Sequence, residues 1–212
     1  MLKKAMLFPS TSLEKIISAF HEGKIVCIPT DTVYAISCDA TNNKAIQRIY
    51  NIKRRLLNKP LPIFVSDMDM ATKYGKFHSK ELLFAKKFWP CPLTIILQKT
   101  ENSYLPSILI KEGKIGIRIP DKALIQKICT SIKKPIIATS ANIASKTNIN
   151  SVDDIEKEFC DKVDLIIRND NDNQNLTPST IIEFTGDNSY RIIREGRISK
   201  SELGFMQELK CR

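Results

Sequence analysis

Apolar positions along this chain follow two rhythms. From Ser12 to His21, through Ala45, Ile46, Ile49 and Tyr50, from Ser79 to Phe88 and from Ala123 to Ile132 they recur every third or fourth residue, a spacing that predicts helices with one buried face. Thr41 or Asn42 stands where a cap for the second of these belongs. Ser151-x-x-Asp154 resembles a capping box that opens a helix to Phe159. Short apolar runs at Lys24 to Ile28, Leu61 to Val65, Leu93 to Leu97, Pro135 to Ala138 and Val163 to Ile167 predict buried strands. Lys114 to Ile119 alternates strictly, with Ile115, Ile117 and Ile119 on one face and Gly116 and Arg118 on the other, expected to be the open one. Ser179 to Phe184 and Tyr190 to Arg194 read as a hairpin across Gly186-Asp187-Asn188. The Asn- and Asp-rich segment from Asn169 to Thr177 reads as a loop.

Helix-like and strand-like segments alternate without an internal repeat or a linker, which predicts an α/β or mixed α+β chain. The expectation is a single domain over residues 1–212, a twisted open mixed sheet flanked by helices. Its core would run over about residues 9–198, with a C-terminal helix over about 199–210.

Composition adds two constraints. A formal charge of +10 on 212 residues favours an anionic partner, although the chain is rich in Lys, Ile and Asn throughout and a solvated basic surface accounts for the same excess. The six cysteines are scattered with no Cys-x-x-Cys pair, as in a reducing, cytoplasmic setting. No apolar run approaches the roughly 20 residues that span a bilayer, so no membrane partner is expected, and no cluster has metal-ligand spacing. His21 and His78, the only histidines, are expected at the surface.

Candidate chemistry lies in short polar stretches that follow strands or end helices. Lys53, Arg55 and Lys59 sit at a helix end, where the macrodipole favours cations; they equally form a cradle for phosphates. Thr30, Asp31 and Thr32 follow a buried strand, where open sheets bind ligands, but turn chemistry uses the same residues. Thr139-Ser140-Ala141-Asn142 has the same placement, and Asn142 is equally suited to a left-handed turn position. Arg118, inside an apolar strand, requires an anionic partner, either a substrate carboxylate or an internal Asp or Glu.

Together these stretches resemble the YrdC-like threonylcarbamoyl-AMP synthases in their short, single-domain form. The matching segments, in the family's order, are Pro29 to Tyr34, Ile49-Tyr50 with Lys53-x-Arg55 and Lys59-Pro60-Leu61, Trp89 to Thr94, Arg118-Ile119-Pro120, Ala138 to Asn142, Pro178-Ser179-Thr180 and Ile192 to Gly196. The chain departs from the family pattern at Ala35 and Cys91, where glycine is usual, at Ala144-Ser145 in place of Ser-Gly, and at Phe64, where histidine is frequent. The resemblance implies synthesis of threonylcarbamoyl-AMP and pyrophosphate from L-threonine, bicarbonate and ATP. That product serves N6-threonylcarbamoyladenosine formation in tRNA through a downstream tRNA threonylcarbamoyl transferase. It also implies a catalytic set of Lys53, Arg55, Ser140 and Asn142, ATP contacts from Arg55, Lys59, Asn142 and Arg194, and threonine contacts from Thr32, Arg118, Ser140 and Ser179. Mg2+ is expected to arrive with ATP, with no protein-only metal site, and tRNA contact is expected to be weak. The competing reading is a non-catalytic double-stranded RNA or tRNA-binding module of the same fold. A carbamoyl-phosphate-using domain is the more distant alternative.

Overall fold

The computed structural model describes residues 4–142, 151–168, 177–185 and 189–208, with side chains to 204. In chain order the elements are β1 (Met6–Pro9), α1 (Leu13–His21), β2 (Val26–Ile28), β3 (Ala35–Ser37), α2 (Asn43–Lys53), β4 (Ile63–Phe64), α3 (Met68–Tyr74), β5 (Gly75–Lys76) and α4 (Ser79–Phe88). They continue with β6 (Leu93–Lys99), β7 (Lys114–Arg118), α5 (Ala123–Ile132), β8 (Ile136–Ile137), β9 (Thr139–Ser140), α6 (Val152–Phe159), β10 (Leu165–Arg168), β11 (Thr180–Phe184), β12 (Tyr190–Arg194) and α7 (Lys200–Glu208). The expected mixed α/β class holds. The departures at Ala144-Ser145, the turn Gly186-Asp187-Asn188 and the Asn169 to Thr177 loop short of Thr177 lie outside the described residues.

The strands form two mixed sheets rather than the single one expected. One runs β1-β10-β2-β3-β9; the other runs β12-β11-β6-β7-β4-β8, with β5 added to the far end of β6. The reason lies between Ile136 and Ser140. Phe64 and Ile63 pair antiparallel with Ile136 and Ile137, whereas Ile36 and Ala35 pair antiparallel with Thr139 and Ser140. The segment expected as one strand from Pro135 to Ala138 therefore changes sheet at Ala138. The Ile137 amide also donates to the Cys38 carbonyl at 2.8 Å, and Ser37 Oγ donates to the Ile137 carbonyl at 2.6 Å, which joins the two sheets at this crossing.

Helix boundaries follow local chemistry. Asn42 Oδ1 accepts from the Ala45 amide at 3.1 Å and Ser151 Oγ from the Asp154 amide at 3.0 Å, each satisfying an orphan N–H of a first turn. Helix α2 ends where Arg54 adopts a left-handed conformation, φ 49°. The apolar faces of α1, α2 and α5 bury Ile16, Phe20, Ile46, Ile49, Ile125 and Ile128. Each such side chain contributes roughly 1.5–3 kcal/mol of transfer free energy. On β7, Ile115 and Ile117 are buried as expected. The opposite face is not open at its end, because Arg118 is only 2% exposed.

Candidate functional site

The first wall of the site is the turn after β2. Thr30 Oγ1 donates to the Val33 carbonyl at 2.7 Å and accepts from the Thr32 amide at 3.0 Å. A hydroxyl has one proton, so in the 3.0 Å contact between Thr30 Oγ1 and Thr32 Oγ1 it is Thr32 that donates. Thr32 Oγ1 is thereby left with lone pairs only, and it meets a ligand as an acceptor.

Arg118 forms the second wall. Its Nε donates to the Cys91 carbonyl at 3.2 Å, its Nη1 lies 3.4 Å from Thr32 Oγ1, and its Nη2 lies 2.5 Å from Asp31 Oδ2. The Phe64 ring lies 5.2 Å from the guanidinium carbon, a cation–π contact. Of the two partners open to Arg118 on sequence grounds, the structure supplies the internal carboxylate, Asp31. Burial holds the Arg118 pKa below the usual arginine value, and Asp31 offsets part of that shift. The Cys91 carbonyl is presented by the Trp89 to Leu93 corner, which Trp89 Nε1 secures by donating to the Leu93 carbonyl at 2.8 Å.

The third wall is the strand end at Ser140 to Asn142. Ser140 Oγ donates to Asn142 Oδ1 at 2.7 Å and so also faces outward as an acceptor. Lys53 Nζ donates to the Ser140 carbonyl, to the Asn142 carbonyl at 2.7 Å and to Asn142 Oδ1 at 2.9 Å. Lys53 is 3% exposed, so helix-end solvation does not account for it; its ammonium holds the segment in place. Burial, followed by the charge of Arg55, pulls its pKa down to about 8. Asn142 is not among the left-handed residues of the described chain.

Arg194 and Ser179 complete the enclosure. Arg194 Nη2 donates to the Ser179 carbonyl at 2.7 Å, and Ser179 Oγ lies 3.1 Å from Thr94 Oγ1. Partial burial of its guanidinium and then the charges of Arg118 and Arg55 hold the Arg194 pKa below the usual arginine value, which places three cations around one space. That space, a cleft of about 150 Å³, is lined by Thr32, Arg55, Arg118, Ser140, Ser179 and Arg194 among others. Through Arg55, Pro60, Leu61, Pro62 and Ile181 it continues into an outer cleft of about 410 Å³. Lys59 lines this outer cleft, with Lys111, Lys114 and Arg191.

Six of the expected site residues thus share the inner cleft, Lys59 lies in the outer one, and Lys53 and Asn142 line neither. The sequence left the Asp31–Arg118 pairing open, because only a contact between distant segments decides which carboxylate an interior arginine takes. Arg191 and Lys114, both bound to Glu183 at 2.6 Å, were not anticipated at the site. His21 and His78 are exposed, as expected.

A family model named for Sua5, YciO and YrdC, and described as "Telomere recombination", matches residues 18–196. The chain belongs to this family. A Methanocaldococcus jannaschii relative described provisionally as a threonylcarbamoyl-AMP synthase is 42% identical over 191 residues, 90% of this chain and 88% of the relative. The threonylcarbamoyl-AMP synthase of Pyrococcus abyssi is 31% identical over 167 residues, covering 78% of this chain and 48% of that protein. The solved P. abyssi Sua5 in complex with L-threonine superimposes with a TM-score of 0.83 at 26% identity, over 95% of this chain and 60% of that one. The chain therefore spans most of the M. jannaschii relative and about half of the P. abyssi synthase.

Proposed function

We propose that this chain is a threonylcarbamoyl-AMP synthase, converting L-threonine, bicarbonate and ATP into threonylcarbamoyl-AMP, pyrophosphate and water. The observation that carries this reading is the convergence of Thr32, Arg55, Arg118, Ser140, Ser179 and Arg194 on the inner cleft, which shares Arg55 with the outer one. The inner cleft, about 150 Å³, is assigned to the amino acid; the outer one, about 410 Å³, falls in the general range of small-molecule and cofactor sites, roughly 300–1,000 Å³, and is assigned to the nucleotide. The L-threonine held by the P. abyssi structure is the ligand proposed for the inner part.

In the reaction the threonine amine forms an N–C bond to the bicarbonate carbon, with loss of water, and a carbamate oxygen then attacks the α-phosphorus of ATP. The bond between the α-phosphorus and the bridging oxygen breaks, and pyrophosphate leaves. These steps require alignment and charge neutralisation more than a proton-transfer side chain. Arg118 Nη1 is assigned to the threonine carboxylate. Thr32 Oγ1 and Ser140 Oγ, both facing outward as acceptors, are assigned to the amine, and Ser179 completes the amino-acid contacts. Arg55, Lys59, Arg194 and Asn142 are assigned to the nucleotide and its phosphates. Lys53 acts by holding the Ser140 to Asn142 segment.

Magnesium belongs to this scheme as part of the ATP substrate. Among the described carboxylates near the cleft, Asp31 pairs with Arg118, and Glu183 with Lys114 and Arg191. No described helix is long and apolar enough to cross a membrane, and a cytoplasmic setting fits a product destined for tRNA. The deciding experiment is pyrophosphate release with each substrate withheld in turn. Release is expected only when ATP, threonine and bicarbonate are all present; equal release without threonine overturns the reading in favour of an ATPase.

A further inference from the structure

Resting on that amino-acid reading, we propose that Asp31 is a positioning residue that makes the inner cleft prefer a zwitterion to a simple anion. Arg55, Arg118 and Arg194 all border the inner cleft, and Arg118 alone among them has a carboxylate partner within the described residues. Asp31 does not line the cleft. It stands behind Arg118, its side chain 8% exposed, with Oδ2 accepting from the Asp121 amide at 3.1 Å and lying 2.5 Å from Nη2. That contact is ionic without hydrogen-bond alignment, and Asp31 Oδ1 has no hydrogen-bond partner among the described residues. A buried carboxylate left this incompletely satisfied is costly to the fold, which argues that its charge serves the site.

The consequence is electrostatic. Three arginines without a counter-charge would draw any phosphate or carboxylate to the inner end, the triphosphate of ATP included. With Asp31 beside Arg118, the Arg118 side of that end carries one charge of each sign, and the uncompensated cations are Arg55 and Arg194 toward the phosphates. Nη1 gives one N–H to Thr32 Oγ1 and keeps its second for a carboxylate, while the field of Asp31 and the remaining lone pairs of Thr32 Oγ1 and Ser140 Oγ favour an amine or ammonium beside it. An α-amino acid has this pattern; a phosphate or a deaminated acid does not.

The test uses the full chain and three probes: L-threonine, 3-hydroxybutyrate, which is the same skeleton without the amine, and inorganic phosphate. By calorimetry the wild type is expected to bind 3-hydroxybutyrate at least about tenfold more weakly than threonine. Asp31→Asn should narrow that ratio about tenfold or more, with 3-hydroxybutyrate and phosphate gaining affinity. Asp31→Glu, which keeps the charge, should restore the wild-type ratio. A purely structural pair would lower the melting temperature of Asp31→Asn and leave the ratio unchanged, and that result overturns the proposal. Should Asp31→Asn fail to fold, a wild type that binds both acids equally overturns it as well. If the wild type binds no threonine, the amino-acid reading falls. The phosphate arm then decides the role of Asp31: a gain in Asp31→Asn supports it, and no gain overturns it.

Discussion

Lys53 Nζ, at the C-terminal end of α2, donates to both the backbone carbonyl and the side-chain Oδ1 of Asn142, which is 89 residues further along the chain. The ammonium is used up by these and the Ser140 carbonyl, so Lys53 supports the site from inside rather than meeting a phosphate.

Replacing Lys53 by Ala removes a charged donor from three acceptors, although Asn142 Oδ1 keeps Ser140 Oγ and the Ser140 carbonyl keeps the Asn142 amide. A stability loss of about 2–4 kcal/mol is expected in denaturant titration. At temperatures where the variant is folded, turnover should fall at least about a hundredfold, as for loss of a preorganising group. Unchanged stability with lost turnover would instead place Lys53 on the phosphates.

The lowered pKa of Lys53 has consequences of opposite sign for activity and stability. As pH rises through about 8 the ammonium loses a proton and one donor, and activity should decline. Between about 8 and the ordinary lysine value of 10.5 the unfolded chain keeps a proton that the folded chain releases, so this group's contribution to stability rises with pH. Paired pH profiles of turnover and of melting temperature check both signs.

Arg118→Lys should weaken threonine more than ATP, since a lysine cannot reach Cys91, Thr32 and Asp31 together as the guanidinium does. Arg55→Ala should do the reverse, costing roughly 2–4 kcal/mol in kcat/KM with little change in folding, because Arg55 is half-buried and its bonds to the Lys59 and Pro60 carbonyls are local. Calorimetric titration of each ligand separates the two effects.

Gly196 is needed for space. A Cβ there would run into the Pro178 carbonyl and the Ser179 backbone, beside the Arg197 amide that donates to Pro178 at 2.8 Å. Gly196→Ala is expected to cost about 1–3 kcal/mol by overpacking and to displace Ser179. Gly204→Ala, on α7 with nothing within 4 Å of its Cβ, should instead gain about 0.5–1 kcal/mol. Melting curves of the two variants should shift in opposite directions.

Purified with tRNA and the three small substrates, the protein should give no modified adenosine until a separate threonylcarbamoyl transferase is added. Direct tRNA affinity should be weak and fall steeply with salt, as for contacts made mainly to phosphates. Tight, salt-resistant tRNA binding without pyrophosphate release would favour an RNA-binding module.

Much of the secondary structure is written locally. Ser79–Phe88 is a helix over the very residues its pattern predicts, and α1, α2 and α5 agree within a residue or two, because one buried face in three or four positions is a strong signal. Strand β3 went unseen because Ala35–Ser37 is short and wholly buried, so no alternation marks it. Helix α3 has only seven residues. The Lys53 to Asn142 and Asp31 to Arg118 contacts join distant segments, and no local pattern specifies which segments meet. Resemblance identified the residues of the cleft; their roles as acceptor, clamp or brace required hydrogen-bond directions.

The change of sheet at Ala138 gives the site a mechanical character. Ile136 and Ile137 are tied to β4, Thr139 and Ser140 to β3, and the Ala141 amide donates to the Tyr34 carbonyl at 2.7 Å. A ligand resting on Ser140 therefore pulls on both sheets at once. The cleft floor cannot fray alone like an exposed loop; it should open only when the whole molecule does. The slowest amide hydrogens to exchange should then include Ile137 and Ala141, and bound threonine should slow exchange in β3 and β4 alike.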